Sequence, residues 1–143
     1  MQGVARARAY PTENQGRVEQ AIRSVLGDGK CKIVQHEGYV ELETTFSEAK
    51  SVERLRQRIQ ELRIIDAART RLQSNWDGTG TRLRIDKQAA FLGRVRIIDD
   101  SEETPSLGYI EVSMQFNSRT EFNRFITWIT PRTENGHIIP GQD

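Results

Sequence analysis

Thr81-Arg82-Leu83-Arg84-Ile85-Asp86-Lys87-Gln88-Ala89-Ala90-Phe91-Leu92-Gly93-Arg94 holds a strand, a helix start and a helix stop in one short run. Leu83 and Ile85 alternate with Arg82 and Arg84, the period of a strand with one apolar and one charged face. Asp86 then offers its side-chain oxygen to the free amides of a short helix over residues 87–92. Gly93 can close that helix in the left-handed conformation that other residues resist. Residues 94–98 read as a returning strand with Arg94 and Arg96 on one side. Strands with one charged face suit an antiparallel sheet that is covered on its other face only.

The flanking sequence repeats this pattern. Residues 4–10 alternate Ala5, Ala7 and Ala9 with Arg6, Arg8 and Tyr10, and Pro11 ends the run. Thr12-Glu13-Asn14-Gln15 reads as a capping box before a helix whose stripe is Val18, Ala21, Ile22, Val25 and Leu26, stopped by Gly27. Residues 31–35 and 39–46 read as two strands about a turn at Gly38, with Val40, Leu42, Thr44 and Phe46 inward. Glu41 and Glu43 would then meet Arg6 and Arg8 if the two strands are neighbours. Ser47 can cap the next helix. Its stripe, Ala49, Val52, Leu55, Ile59 and Leu62, continues through Ile65, Ala68 and Leu72 but drifts around the axis, which predicts a break near Arg63. Residues 75–80 read as a turn and residues 109–116 as a last strand with Ile110, Val112, Met114 and Phe116 inward. Ser118-Arg119-Thr120-Glu121 caps a final helix carrying Phe122, Phe125, Ile126 and Ile129, and Pro131 stops it. The expectation is a single α+β domain over residues 1–131, a mostly antiparallel sheet with helices packed on one face. Residues 132–143 are expected to form a loose tail.

Composition narrows the function. With 143 residues, 36% hydrophobic, and no apolar run near the roughly 20 residues that cross a bilayer, the chain reads as a water-soluble domain without membrane contact. No apolar leader precedes it, and its one cysteine, Cys31, can form no internal disulfide, which points to the cytoplasm. Net charge is +1, yet residues 54–96 alone carry eleven basic and four acidic side chains, while residues 97–143 carry three and eight. Of the 21 basic residues, 17 are arginine, the cation whose planar fork grips phosphate bidentately and stacks on bases.

Catalytic chemistry is scarce. His36 and His137 lie far apart, no metal-ligand spacing involves Cys31 or either histidine, and Gly78-Thr79-Gly80 lacks the ending of a phosphate loop. The acidic run at residues 99–103 has no regular ligand spacing and reads as a solvated loop. No catalytic residue, metal or cofactor is expected. The basic cluster is the lead: Arg82, Arg84, Arg94 and Arg96 could share one polar face, with Lys87 at the joining turn and Arg63 and Arg69 assisting from the adjacent helix. Such a patch attracts a phosphate backbone. RNA binding without catalysis is therefore the main expectation; the rivals are a face neutralised by the acidic loop or by a second subunit in a homodimer, and a small-ligand or enzyme pocket near the Lys87–Gly93 turn in which Lys87 and Gln88 hold an anion.

Three ordered motifs resemble a known family. Arg63-Ile64-Ile65-Asp66-Ala67-Ala68-Arg69, the Asp86 to Arg94 run, and Leu107-Gly108-Tyr109-Ile110-Glu111-Val112 are similar to the archaeal uncharacterised protein family 0201, over roughly residues 4–130. The resemblance implies an α+β fold like that of the large-subunit ribosomal protein that binds 5S RNA. It also implies a cytoplasmic, dimeric archaeal protein with a proposed RNA-binding role, ribosomal RNA included, and no assigned catalytic residue. The family usually has Asn where this chain has Asp86, and both cap a helix.

Overall fold

Alanines in a strand let covering helices approach closely, and the strand with three of them lies in the middle of the sheet. The computed structural model describes residues 1–27, 29–98, 107–134 and 137–138. Strand β1 (Gln2–Ala9) is followed by helix α1 (Gln15–Leu26), the hairpin β2 (Lys32–His36) and β3 (Tyr39–Phe46), and a 3₁₀ turn at Ala49–Val52. Helices α2 (Glu53–Glu61) and α3 (Ile65–Ser74) come next, then β4 (Gly80–Asp86), α4 (Lys87–Phe91), β5 (Tyr109–Gln115) and α5 (Arg119–Ile129). Two short strands, β6 (Thr133–Glu134) and β7 (His137–Ile138), pair with each other.

The main sheet has the order β2-β3-β1-β5-β4 with every neighbour antiparallel. Its apolar face contributes Ala5, Ala7, Leu42, Leu83, Ile85, Ile110, Val112 and Met114 to the core, all at most 3% exposed. The helices supply the opposite wall: Val18, Ala21, Ile22 and Val25 from α1, Leu55 and Ile59 from α2, Ala68 and Leu72 from α3, and Phe122 and Ile129 from α5. Burying each branched or aromatic side chain contributes about 1.5–3 kcal/mol before the cost of ordering it. Polar threads tie the layers together. The Ser24 hydroxyl donates to the Ala90 carbonyl at 2.7 Å, and the Thr81 hydroxyl donates to the Leu72 carbonyl at 2.6 Å. The fold is a single α+β domain, as the alternating patterns predict.

The drift of the second helical stripe marks a real break. Arg63 has φ 56°, the left-handed region, and separates α2 from α3. Asp86 and Ser118 cap as expected: Asp86 Oδ1 accepts from Gln88 N at 2.9 Å and Ala89 N at 3.1 Å, and Ser118 Oγ accepts from Glu121 N at 3.1 Å. Gly93 closes α4 at φ 77°.

Other local expectations shift. Asn14, not Thr12, caps α1, accepting from Arg17 N. Glu13 N donates to the Tyr10 carbonyl, so residues 10–13 are spent on a turn before the helix begins. Ser47 caps nothing, because the chain enters α2 through the 3₁₀ turn. Leu62, expected inward, is 41% exposed, since α2 ends beneath it. Residues 94–98 are not a full strand: Ile97 makes one antiparallel bridge to Ile85, flanked by Asp86 N donating to the Arg96 carbonyl and Ile98 N to the Arg84 carbonyl, each at 2.9 Å. Where a loose tail was expected, β6 and β7 pair, and the Thr133 hydroxyl donates to Asp66 at 2.8 Å. The acidic loop at residues 99–106 and its candidate cation site lie outside the described residues.

Candidate nucleic-acid interface

Period-two strands send every second side chain to the face the helices do not cover, and the register decides which of them meet. Across that face Lys32, Glu43, Arg6, Glu111 and Arg84 stand in line on β2, β3, β1, β5 and β4. The charge alternates along the whole row. Arg6 Nε lies 3.1 Å from Glu43 and 3.9 Å from Glu41, and Arg84 Nε lies 3.1 Å from Glu111. Arg82 joins at 3.9 Å from Glu111.

A second band holds rings and guanidinium groups. His36 stacks on Tyr39 at 4.8 Å with planes 18° apart, and Arg8 lies 4.4 Å from the Tyr39 ring centre. Tyr10 leans on Tyr39 at 6.3 Å, and Arg84 sits 4.6 Å from the ring centre of Tyr109. A hydrogen bond with Tyr10 outweighs the opposing effect of desolvation and raises the pKa of Arg8 above its usual value. Between these bands is an open hollow of about 650 Å³, lined by Arg6, Arg8, Tyr10, Glu41, Glu43, Arg84, Tyr109 and Glu111 among others.

The seven basic residues singled out from sequence do not form one patch. Arg82 and Arg84 share the polar side of β4. Arg96 joins them from the bridged segment, its Nε and Nη2 3.2 and 3.0 Å from Asp86 Oδ2. Asp86 thus caps α4 with one oxygen and holds Arg96 with the other. Arg94 is exposed at the end of the α4 turn.

Lys87 has to be corrected. It is 3% exposed, and its Nζ donates to the Arg8 carbonyl at 2.6 Å and to Glu13 at 2.9 Å. A charge so placed ties α4 to β1 and does not reach a phosphate. The same ties remove it from the small-anion reading with Gln88, although a hollow of about 610 Å³ lies between α1 and α4. Arg69 is also committed, donating to the Thr130 carbonyl at 2.9 Å and to the Pro131 carbonyl while pairing with Asp66 at 3.1 Å; it fastens the end of α5 to α3. Arg63 is exposed at the α2–α3 junction, away from the sheet face.

Sequence reading placed Arg6 and Arg8 only as structural partners of the glutamates and passed over Tyr10, Tyr39, Tyr109 and His36. Their signal was the alternation itself. It showed which side each ring takes but not that four separate segments bring their rings to one surface. Trp76, in contrast, stacks on Phe122 at 4.1 Å and belongs to the core. Cys31 is half-buried, with Sγ 3.2 Å from the Thr44 hydroxyl.

Known proteins can now be set beside this surface. Residues 4–116 match a family model described as RNA binding. A UPF0201 protein of Sulfurisphaera tokodaii is 32% identical over 127 residues, spanning 88% of this chain and 84% of that one. The chain belongs to the UPF0201 family. A second UPF0201 protein, from Methanocaldococcus jannaschii, is 29% identical over 139 residues, or 97% of this chain and 78% of that one. The 2.2 Å crystal structure of a UPF0201 protein from Methanococcus jannaschii superposes with a TM-score of 0.84 at 28% identity, covering 97% of this chain and 99% of that chain. A DUF54 protein from Methanothermobacter thermautotrophicus shares the fold, with a TM-score of 0.60 at 16% identity.

Proposed function

We propose that this UPF0201 protein is a non-enzymatic RNA-binding module that meets structured RNA with the helix-free face and β4 edge of its sheet. The observation that carries the reading is the gathering of Arg6, Arg8, Arg82, Arg84 and Arg96 on one surface of a chain whose family model is described as RNA binding. Arg82, Arg84, Arg94 and Arg96 contact phosphates along the β4 border, and Arg63 adds an outlying contact. Lys87 and Arg69 act through the fold alone. Ribosomal RNA, which the family resemblance implies, is the first target to try, and a cytoplasmic setting belongs to the same proposal. Cys31 and His36, at opposite ends of an extended stretch about 16 Å long at 3.3 Å per residue, are too far apart for proton transfer between them.

Reversing charge at two phosphate contacts tests this. The Arg84→Glu, Arg96→Glu double variant binds every RNA sequence more weakly, and the slope of log affinity against log salt falls by about 2. Unchanged affinity in a folded variant refutes the assignment.

One observation favours a second reading. The row of alternating charge, basic at both ends, meets opposite charge in a reversed copy displaced by one strand, so two offset sheet faces can meet in a homodimer. Sedimentation at varied salt separates the cases: a dimer that dissociates in salt and has no RNA affinity supports the second.

A further inference from the structure

Phosphate binding alone does not account for the middle of this face. A phosphate site gathers cations and keeps carboxylates away. Here Glu41, Glu43 and Glu111 stand between the arginines, with Arg6 3.1 Å from Glu43 and Arg84 3.1 Å from Glu111. Their fields largely cancel, and a phosphodiester brought to the centre meets three carboxylates. The surface suits a flat, uncharged group with donors and acceptors on its edges. It also offers rings: Tyr39 beside Arg8 and His36, and Tyr109 beside Arg84.

We propose that the centre of the sheet face, around Arg8 between Tyr39 and Tyr109, is a binding site for unpaired RNA bases, with guanine preferred. This rests on the RNA-binding reading and deepens it: the RNA is single-stranded here, and its bases are read. Unpaired bases are recognised by stacking on aromatic or guanidinium planes and by hydrogen bonds along their edges. Guanine suits both side-chain types present. Its O6 and N7 accept from an arginine fork. Its neighbouring N1–H and N2–H₂ groups donate to a carboxylate, which only accepts and has two oxygens to offer. Arg6 and Glu111 are register partners on adjacent strands, so donor fork and acceptor pair stand side by side. Adenine and uracil lack both matched pairs, and cytosine lacks the donor pair. The hollow of about 650 Å³ is within the range of pockets that take small ligands.

The test uses the full-length protein and fluorescence anisotropy with short single-stranded repeats of U-G, U-A, U-C and U alone, plus a duplex of equal length. The U-G strand binds tightest. Tyr39→Leu with Tyr109→Leu weakens single-strand binding about ten- to hundred-fold and leaves duplex binding unchanged. Glu111→Gln narrows the preference for U-G over U-A. Ultraviolet crosslinking of the unaltered protein to the U-G strand, read by mass spectrometry, serves if the double variant fails to fold; crosslinks fall on peptides of β1, β3 and β5. Crosslinks only elsewhere, equal affinity for all strands, or a folded tyrosine variant with undiminished binding each overturn the base site while leaving RNA binding in place. Absence of binding to every RNA overturns both.

Discussion

Replacing Lys87 with methionine takes one charge out of the interior and strands another. The side chains of Lys87 and Glu13 are only 4% and 10% exposed, with Nζ and Oε1 2.9 Å apart. The same Glu13 oxygen accepts from Tyr10 N at 3.1 Å, and Nζ also donates to the Arg8 carbonyl at 2.6 Å. Methionine keeps most of the aliphatic stem, so little packing volume is lost. Glu13 keeps a single amide donor and loses its counter-charge. Breaking a buried pair from one side costs about 3–5 kcal/mol. With a urea m-value of about 2 kcal/mol/M, that shifts the unfolding midpoint by about 2 M with no change in slope. Adding Glu13→Gln removes the stranded charge, so the double variant is more stable than Lys87→Met alone, and the two changes couple by about 1–3 kcal/mol. At a temperature where the single variant is folded, its RNA affinity equals that of the parent. A loss below about 1 kcal/mol, or a double variant less stable than the single, refutes the reasoning. A folded Lys87→Met protein with weakened RNA binding would return Lys87 to the phosphate contacts.

Two more outcomes follow from local geometry. A Cβ at Gly80 would lie 2.7 Å from the Met114 carbonyl oxygen, so Gly80→Ala pushes β4 off β5 and costs about 1–3 kcal/mol; an unchanged thermal midpoint refutes this. Hydrogen bonds from Thr79 N, then Gly80 N, then the Thr79 hydroxyl hold the Asp77 carboxyl below its ordinary value of 3.8. The unfolded chain therefore takes up that proton at higher pH than the folded one. The stabilisation is complete above the ordinary aspartate range and is lost as pH falls through the lowered value. Asp77→Asn is less stable than the parent at neutral pH, and the difference closes in strong acid; a difference that persists there counts against the assignment.

Much of the fold could be read from the chain because its signals are local. The Leu83, Ile85 and Arg82, Arg84 alternation, the Asp86 cap and the Gly93 stop each depend on neighbours a few residues away. The break at Arg63 was legible for the same reason: a stripe that drifts around its axis cannot stay on one straight helix. The site was less legible because it depends on strand order. Nothing near Arg8 in the chain tells that Tyr39 will lie beside it and Tyr109 close by; the order β2-β3-β1-β5-β4 does. Lys87 misled for a related reason. In sequence it sits in a run of arginines, and only the return of α4 against β1 gives it Glu13, 74 positions away, as a partner.

The two borders of the sheet are guarded differently. Beyond β4, the Asp86 amide and the Arg84 carbonyl are already taken by Arg96 and Ile98. At the other border β2 is five residues long, begins on Lys32 and exposes Ile33 at 45%. A short strand opened by a lysine is a poor template for another chain to add to. One border is thus paired at its Arg84–Asp86 end and the other discouraged by brevity and charge. Crowded copies of the protein, as on neighbouring sites of one RNA, can sit side by side without their sheets joining into a fibre.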